Sequence, residues 1–203
     1  MSDYFYEPRN GHGLPHNPLK ALIAPRPIGW ISTVDVRGRV NLAPYSFFNA
    51  FAESPPIIGF ATSHERKDSI NNAEATGEFV ANLVGRDLAE AMNVTSTSVP
   101  AGVDEMQLAG LEAAASTLVK PPRVARAIAA FECKLTDVYQ LRDSSGKRIP
   151  TWVTMGEVVG VHINDEYLRD GYFDIVAART IGRCGYRGDY VEVSGVFEMI
   201  RPA

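Results

Sequence analysis

The sequence predicts a mainly β fold: a closed or nearly closed antiparallel barrel with a few helices inserted between its strands. Two long segments carry most of that expectation. Ala130 to Val138 alternates apolar and polar residues almost throughout, and Thr151 to Asn164 answers it across a turn at Asp143 to Lys147. The second segment contains Gly156 and Gly160, which inside a strand mark a bend or a close backbone approach. A third observation is that the helical patterns are few and lie between strands, which suits a barrel better than a doubly wound sheet.

In chain order, residues 1–20 form a strap or arm, because Pro8 to Pro18 is rich in Gly, Pro, Asn and His and resists regular structure. His12 and His16 have a metal-binding spacing only on a helix, and Gly13 and Pro15 oppose a helix there. Arg26 stands between two prolines that restrict the backbone, so its guanidinium is aimed, either at an anion or at a carboxylate such as Glu53. Ile28 to Val34 has the β-branched and aromatic content of a strand, Asp35 to Gly38 reads as a turn, and Val40 to Ala43 returns. The run then enters Pro44 to Asn49, where small polar residues sit between aromatics and the proline rules out a central strand. Such a mixture suits a flat, partly polar ligand.

After the bend at Pro55 and Pro56, Ile57 to Ala61 reads as an apolar strand and Ile70 to Thr76 as a short helix stopped by Gly77. Arg66 and Lys67 therefore sit at a helix start. The macrodipole already makes that end positive, so each cation there costs about 0.3 to 1 kcal/mol unless something negative is bound. Two cations, the Ser69 hydroxyl and free amides make a phosphate seat. The alternative is that both side chains reach into water while Asp68 caps the helix. Glu78 to Leu83 alternates like a half-buried strand, which lets Asn82 face the same pocket as Ser69, to bond a phosphate or sugar hydroxyl, or else a loop carbonyl.

Further on, Arg86 to Thr95 places Leu88, Ala91, Met92 and Thr95 on one helical face, a core-packing pattern. Thr95 to Gly102 is a polar loop with no histidine arranged to activate a nucleophile, and Asp104 caps a short helix ending near Gly110. Tyr190 to Met199 supplies a last strand.

The 203 residues suffice for one well-buried core, so the whole chain is read as a single domain. A formal net charge of -4 argues against nucleic acid or an anionic membrane as partner, since both reward a basic surface. Cys133 and Cys184 are too few for a disulfide framework and favour a reducing compartment. Met1 to Glu7 lacks the apolar core of a secretory segment, and Val40 to Ala52 is too short and too polar to span a bilayer, so a soluble, cytoplasmic protein is expected.

Several runs taken together closely resemble the flavin reductase-like, FMN-binding split-barrel family, which includes flavoredoxin-like proteins. They are Ala24 to Thr33, Asn41 to Asn49, Lys67-Asp68-Ser69 and Glu78 to Leu83, in that order. The resemblance implies a split-barrel homodimer that holds FMN near the subunit interface. It also implies an oxidoreductase that moves electrons from NAD(P)H through the flavin to a small-molecule or protein acceptor.

Carried over by motif, Arg66, Lys67 and Ser69 hold the FMN phosphate, with Asn82 near the phosphate or ribityl chain. Ser46, Phe47, Phe48 and Asn49 flank the isoalloxazine, partly through backbone groups. Trp30 and Arg26 are secondary candidates, the alternative being that they point into the core or a subunit contact. Ser69 stands where related sequences often have threonine, and either hydroxyl bonds a phosphate. Cys184 stands where the family often has a glycine; Arg183 and Tyr186 beside it either border the flavin or belong to a loop packed on the barrel. No Gly-x-Gly-x-x-Gly fingerprint follows a strand, so the nicotinamide is expected to bind transiently beside the FMN rather than in its own Rossmann domain. Two rival readings are a non-enzymatic FMN electron carrier that docks a redox partner, and a cofactor-free interaction module.

Overall fold

The structure is a computed structural model describing residues 2–202. Seven strands form one antiparallel sheet: β1 (Gly29–Val34), β2 (Val40–Tyr45), β3 (Phe48–Glu53), β4 (Pro56–Ala61), β5 (Glu78–Leu83), β6 (Ala129–Arg142) and β7 (Arg148–Ile163). Their spatial order is β2-β1-β5-β6-β7-β4-β3. The two edge strands are therefore neighbours in the chain, joined only by Ser46 and Phe47. A connection that short forces the sheet to curl until its edges meet. They meet where Gly29 of β1 abuts the Phe48 ring of β3: a Cβ on Gly29 would lie 2.5 Å from the ring. The amide of Ala61 also donates to the Phe47 carbonyl at 2.8 Å. The result is a barrel split along one seam.

Curvature on the far wall comes from the two glycines of β7. The β6–β7 register slips between Met155 and Gly156 and again between Val158 and Gly160, which are bulges. A side chain at Gly156 would collide with the Phe79 ring, one of the fully buried groups of the barrel interior with Ile31, Phe60, Ile70 and Cys133. A second cluster outside the barrel joins Trp30, Leu42 and Met92 to Met106, under α3 (Ala89–Val94) and α4 (Glu105–Leu108).

Several boundaries differ from the sequence expectation, each for a physical reason. Strand β2 runs through Pro44, which an edge strand tolerates because no neighbour needs its missing N–H. β3, unforeseen, forms because the seam brings Phe48 to Glu53 against β4. β5 is buried on both faces rather than half-buried, since the loop at residues 117–119 folds over its outer side. The helical turn at Arg86–Leu88 is 3-10 and passes into α3. Helix α2 (Asp68–Thr76) has Lys67 at its N-cap with no side-chain cap, so Asp68 lies inside the helix instead of capping it, and Gly77 closes it at φ 74°. Of the expected last strand only Tyr190–Glu192 forms, paired with Ile181–Arg183, which in turn pairs with Arg26–Pro27. The alternation beyond Glu192 finds no partner strand.

Glu132 pins the 117–119 loop to the barrel. Its fully buried carboxylate accepts from the amides of Thr117 (2.7 Å), Leu118 (2.6 Å) and Val119 (3.1 Å), and lies 2.5 Å from His162 Nε2. Burial pushes its pKa up, but the Thr117 amide, His162 and the Leu118 amide outweigh that and hold it below the ordinary 4.5. A carboxylate that is more acidic in the native state adds stability above its unfolded pKa and loses it as pH falls through the native value. Glu132→Gln should therefore flatten the loss of stability below about pH 4.5 seen in acid-titrated urea melts of the parent. Gly156→Ala should cost about 1 to 3 kcal/mol in the same melts at neutral pH, because the Phe79 ring has to move.

Candidate functional site

The seam opens into a cleft of about 200 Å³, floored by Pro44, Tyr45, Ser46 and Phe47 and walled by residues 61–64, Lys67 and Lys20. Among the described residues no carboxylate lines it, while Lys20, Lys67 and His64 do. Lys67 Nζ lies 2.9 Å from Glu65 Oε1, an exposed pair worth little in water. Because α2 starts without a side-chain cap, its first amides remain available at the same end. Positive side chains, the Ser63 hydroxyl and a helix N-terminus together suit the anionic end of a ligand. The Phe47 ring, 38% exposed, supplies an apolar surface beside them, with Lys20 Nζ 5.7 Å from its centroid.

Lys20 is held in place by Arg26. That guanidinium is 5% exposed and its Nη1 donates to the carbonyls of Lys20 and Ile23, closing the end of α1 (Leu19–Leu22). Arg26 therefore does not pair with Glu53: it closes α1 behind Lys20, and its Nε stays buried without a partner among the described residues. Burial, then the charge of Arg183 across the strand pair, lower its pKa.

The other residues expected at the site divide sharply. Ser46 and Phe47 line the cleft, but Phe48 turns into the seam against Gly29, and Asn49, next along β3, points outward with its Oδ1 accepting from the Ala50 amide at 2.9 Å. Trp30 is completely buried and its Nε1 donates to Thr95 Oγ1 at 2.9 Å, so it is a core residue. Asn82 also belongs to the interior: its Nδ2 donates to the Trp30 carbonyl and its Oδ1 accepts from the Val124 amide, both at 2.9 Å. It occupies the face of β5 opposite the barrel interior and does not share a pocket with Ser69.

Arg66 runs back along α2, bonding Asn71 Oδ1 at 2.6 Å and Glu74, with its guanidinium 4.6 Å above the Trp152 ring. The Ser69 hydroxyl is buried and accepts from Asn41 Nδ2 at 2.9 Å. It also contacts Tyr45, whose phenol is pushed up to about 12, chiefly by burial, and so stays neutral. This network bolts the first turn of α2 to β2. Of the three expected phosphate ligands, only Lys67 thus has its side chain in the cleft. The cleft also holds Ser63, His64 and Lys20, which the sequence reading did not place there: the first two stand just before Glu65, and Lys20 carries no local signal.

A second cleft, of about 410 Å³, opens on the other side of Pro44 and Ser46, towards Arg183, Arg187 and Tyr190. Tyr186 is absent from it; its ring packs on His16 of the N-terminal strap, with centroids 5.8 Å apart.

A family model described as "Flavin reductase like domain" matches residues 22–176. The chain belongs to this family. An uncharacterized protein of Deinococcus radiodurans is 36% identical over 194 residues, covering 90% of this chain and 82% of that one. Among solved structures, nitrilotriacetate monooxygenase component B from Bacillus cereus superimposes with a TM-score of 0.82 at 28% identity, covering 92% of this chain and 98% of that one. The 2-nitrobenzoate 2-nitroreductase NbaA of Pseudomonas fluorescens superimposes at 0.78 and 26% identity, covering 91% and 88%. The mainly β split barrel is thus the fold of the flavin reductase-like family. Among the described residues no helix is long and apolar enough to cross a membrane.

Because Asn82 satisfies two backbone groups inside this flavin reductase-like barrel, Asn82→Ala should cost about 1 to 3 kcal/mol in urea unfolding, from the Val124 amide and Trp30 carbonyl left unpaired.

Proposed function

We propose that this flavin reductase-like chain acts as one domain that binds FMN and serves as an oxidoreductase, taking electrons from NAD(P)H and passing them to a small-molecule or protein acceptor. The observation that carries the reading is the cleft at the seam, where Lys20, Lys67 and His64 gather beside the half-exposed Phe47 ring and the one acid in reach, Glu65, pairs with Lys67 from outside the lining. Those residues fit a phosphate at one end and a flat ring at the other. Lys67, Lys20 and the Ser63 hydroxyl hold the phosphate, assisted by the amides that open α2. Ser46 and Phe47 would bear the ring system, partly through backbone groups, with the aromatic side chain excluding water beside it. Arg26 and Ser69 act behind them, the first by fixing Lys20 and the second by fixing α2. Bound flavin supplies the capacity to accept a hydride from a nicotinamide and return electrons to an acceptor.

The relative named as a 2-nitrobenzoate 2-nitroreductase supports reduction of a small molecule, and the monooxygenase component supports delivery of electrons to another protein. A homodimer is supported by exposed apolar groups, among them Leu22, Ile23 and Phe51, which are 74%, 58% and 61% exposed. The family and the net charge of -4 are in keeping with a cytoplasmic location.

Lys20→Ala combined with Lys67→Ala should weaken FMN by about ten-fold to a hundred-fold, the equivalent of losing a charged hydrogen bond, while riboflavin changes by less than about two-fold. Flavin fluorescence quenching measures both, and equal losses for the two ligands would refute the phosphate seat. The purified protein with added FMN should oxidise NADH or NADPH steadily. A yellow protein inert towards both nucleotides would favour the electron carrier instead.

A further inference from the structure

The second cleft has a charge pattern that the fold does not require. Arg183 and Arg187 both line it, together with Asn93 and Ser96, and among the described residues no carboxylate does. Arg183 lies 4.7 Å from the centroid of the Tyr190 ring, and its hydrogen bond to the Asp189 carbonyl is long, at 3.5 Å. Most of its donors are therefore uncommitted. Arg187 is exposed and has no hydrogen-bond or ion-pair partner among the described residues. The acids nearest in sequence are engaged elsewhere: Asp189 Oδ2 accepts from the Tyr186 amide at 2.7 Å, and Glu192 Oε1 from Arg179 Nε at 2.7 Å.

Two arginines converging on a concave surface, in a chain whose formal charge is -4, form a local positive field with donor forks suited to carboxylate or phosphate. The position adds the functional meaning. Pro44 and Ser46 line both clefts, so an occupant of the second lies against the same short segment that bears the ring in the first.

We propose that this cleft is the subsite for the second redox substrate and that it selects a small anionic molecule, whose carboxylate or phosphate is gripped by Arg183 and Arg187. The shared chemistry has two sources: an aromatic carboxylate acceptor, or the pyrophosphate of a nicotinamide donor. Calling the occupant a redox substrate rests on the FMN reading above, whereas the anion site itself stands on the arginines.

Isothermal titration calorimetry with benzoate and with inorganic pyrophosphate, on the protein with and without FMN, tests the proposal. At least one of the two anions should bind the parent protein, and uncharged benzyl alcohol should not compete. Arg187→Ala, which removes an exposed and unpartnered side chain, should weaken that anion by about ten-fold, Arg187→Lys should recover part of the loss, and Arg183→Gln with Arg187→Ala should weaken it by about a hundred-fold. FMN affinity should move by less than about two-fold in each. A preference for benzoate identifies the acceptor as the occupant, and a preference for pyrophosphate identifies the donor. The proposal is overturned if neither anion binds the parent, or if Arg187→Ala binds them as the parent does. If FMN fails to bind while an anion binds and is lost in Arg187→Ala, the flavin reading falls and the anion site stands.

Discussion

A two-residue connection between the opposite edges of a seven-stranded sheet governs this molecule. With only Ser46 and Phe47 to bridge β2 and β3, the sheet has to close, and the closure has to be tight enough for Phe48 to press on a glycine. Bulges at Gly156 and Gly160 on the opposite wall supply the curvature that makes the closure possible. At the seam the two edge strands meet without a ladder of backbone hydrogen bonds between them. Both clefts open there, one on each side of Pro44 and Ser46.

Around the seam, polar groups fall into two populations. Some are spent on the fold: Asn82 ties β1 to the segment before β6, Glu132 clamps a loop, and Ser69 with Asn41 fastens α2. These are buried and saturated, and their removal leaves unpaired groups in a low-dielectric interior. Others, Lys20, Lys67, Arg183 and Arg187, are uncommitted or only loosely paired at the cleft mouths. The second population is the one with donors to spare, because a group whose hydrogen bonds are already satisfied inside the protein gains little from a further partner. The first population makes the second effective by holding it still, as Arg26 does for Lys20.

That distinction explains which site residues were legible in the sequence. The residue types around Lys67, and the mix of aromatics and small polar residues at Pro44 to Asn49, pointed to stretches that the structure brings together at one cleft. Arg66, expected at a phosphate, runs to Glu74 and Trp152, and Ser69 is buried against Asn41; for Trp30 and Asn82 the structure shows the core and backbone-bonded alternatives that the sequence had left open. Lys20 was invisible because its role depends on α1 folding back over the seam, a contact with no local signature.

By itself the sequence determined the strand runs at residues 29–34, 56–61, 78–83, 129–142 and 148–163, the turns at Asp35 and Asp143, the glycine that ends α2, and the two glycines that bend β7. It did so because these features depend on backbone freedom and alternation over a few residues. Tertiary structure alone decided which edge strands meet, that β3 exists, where the alternation beyond Glu192 stops forming a strand, and which arginines remain free. Those outcomes depend on partners far away in the chain, and a strand or an ion pair exists only where its partner arrives.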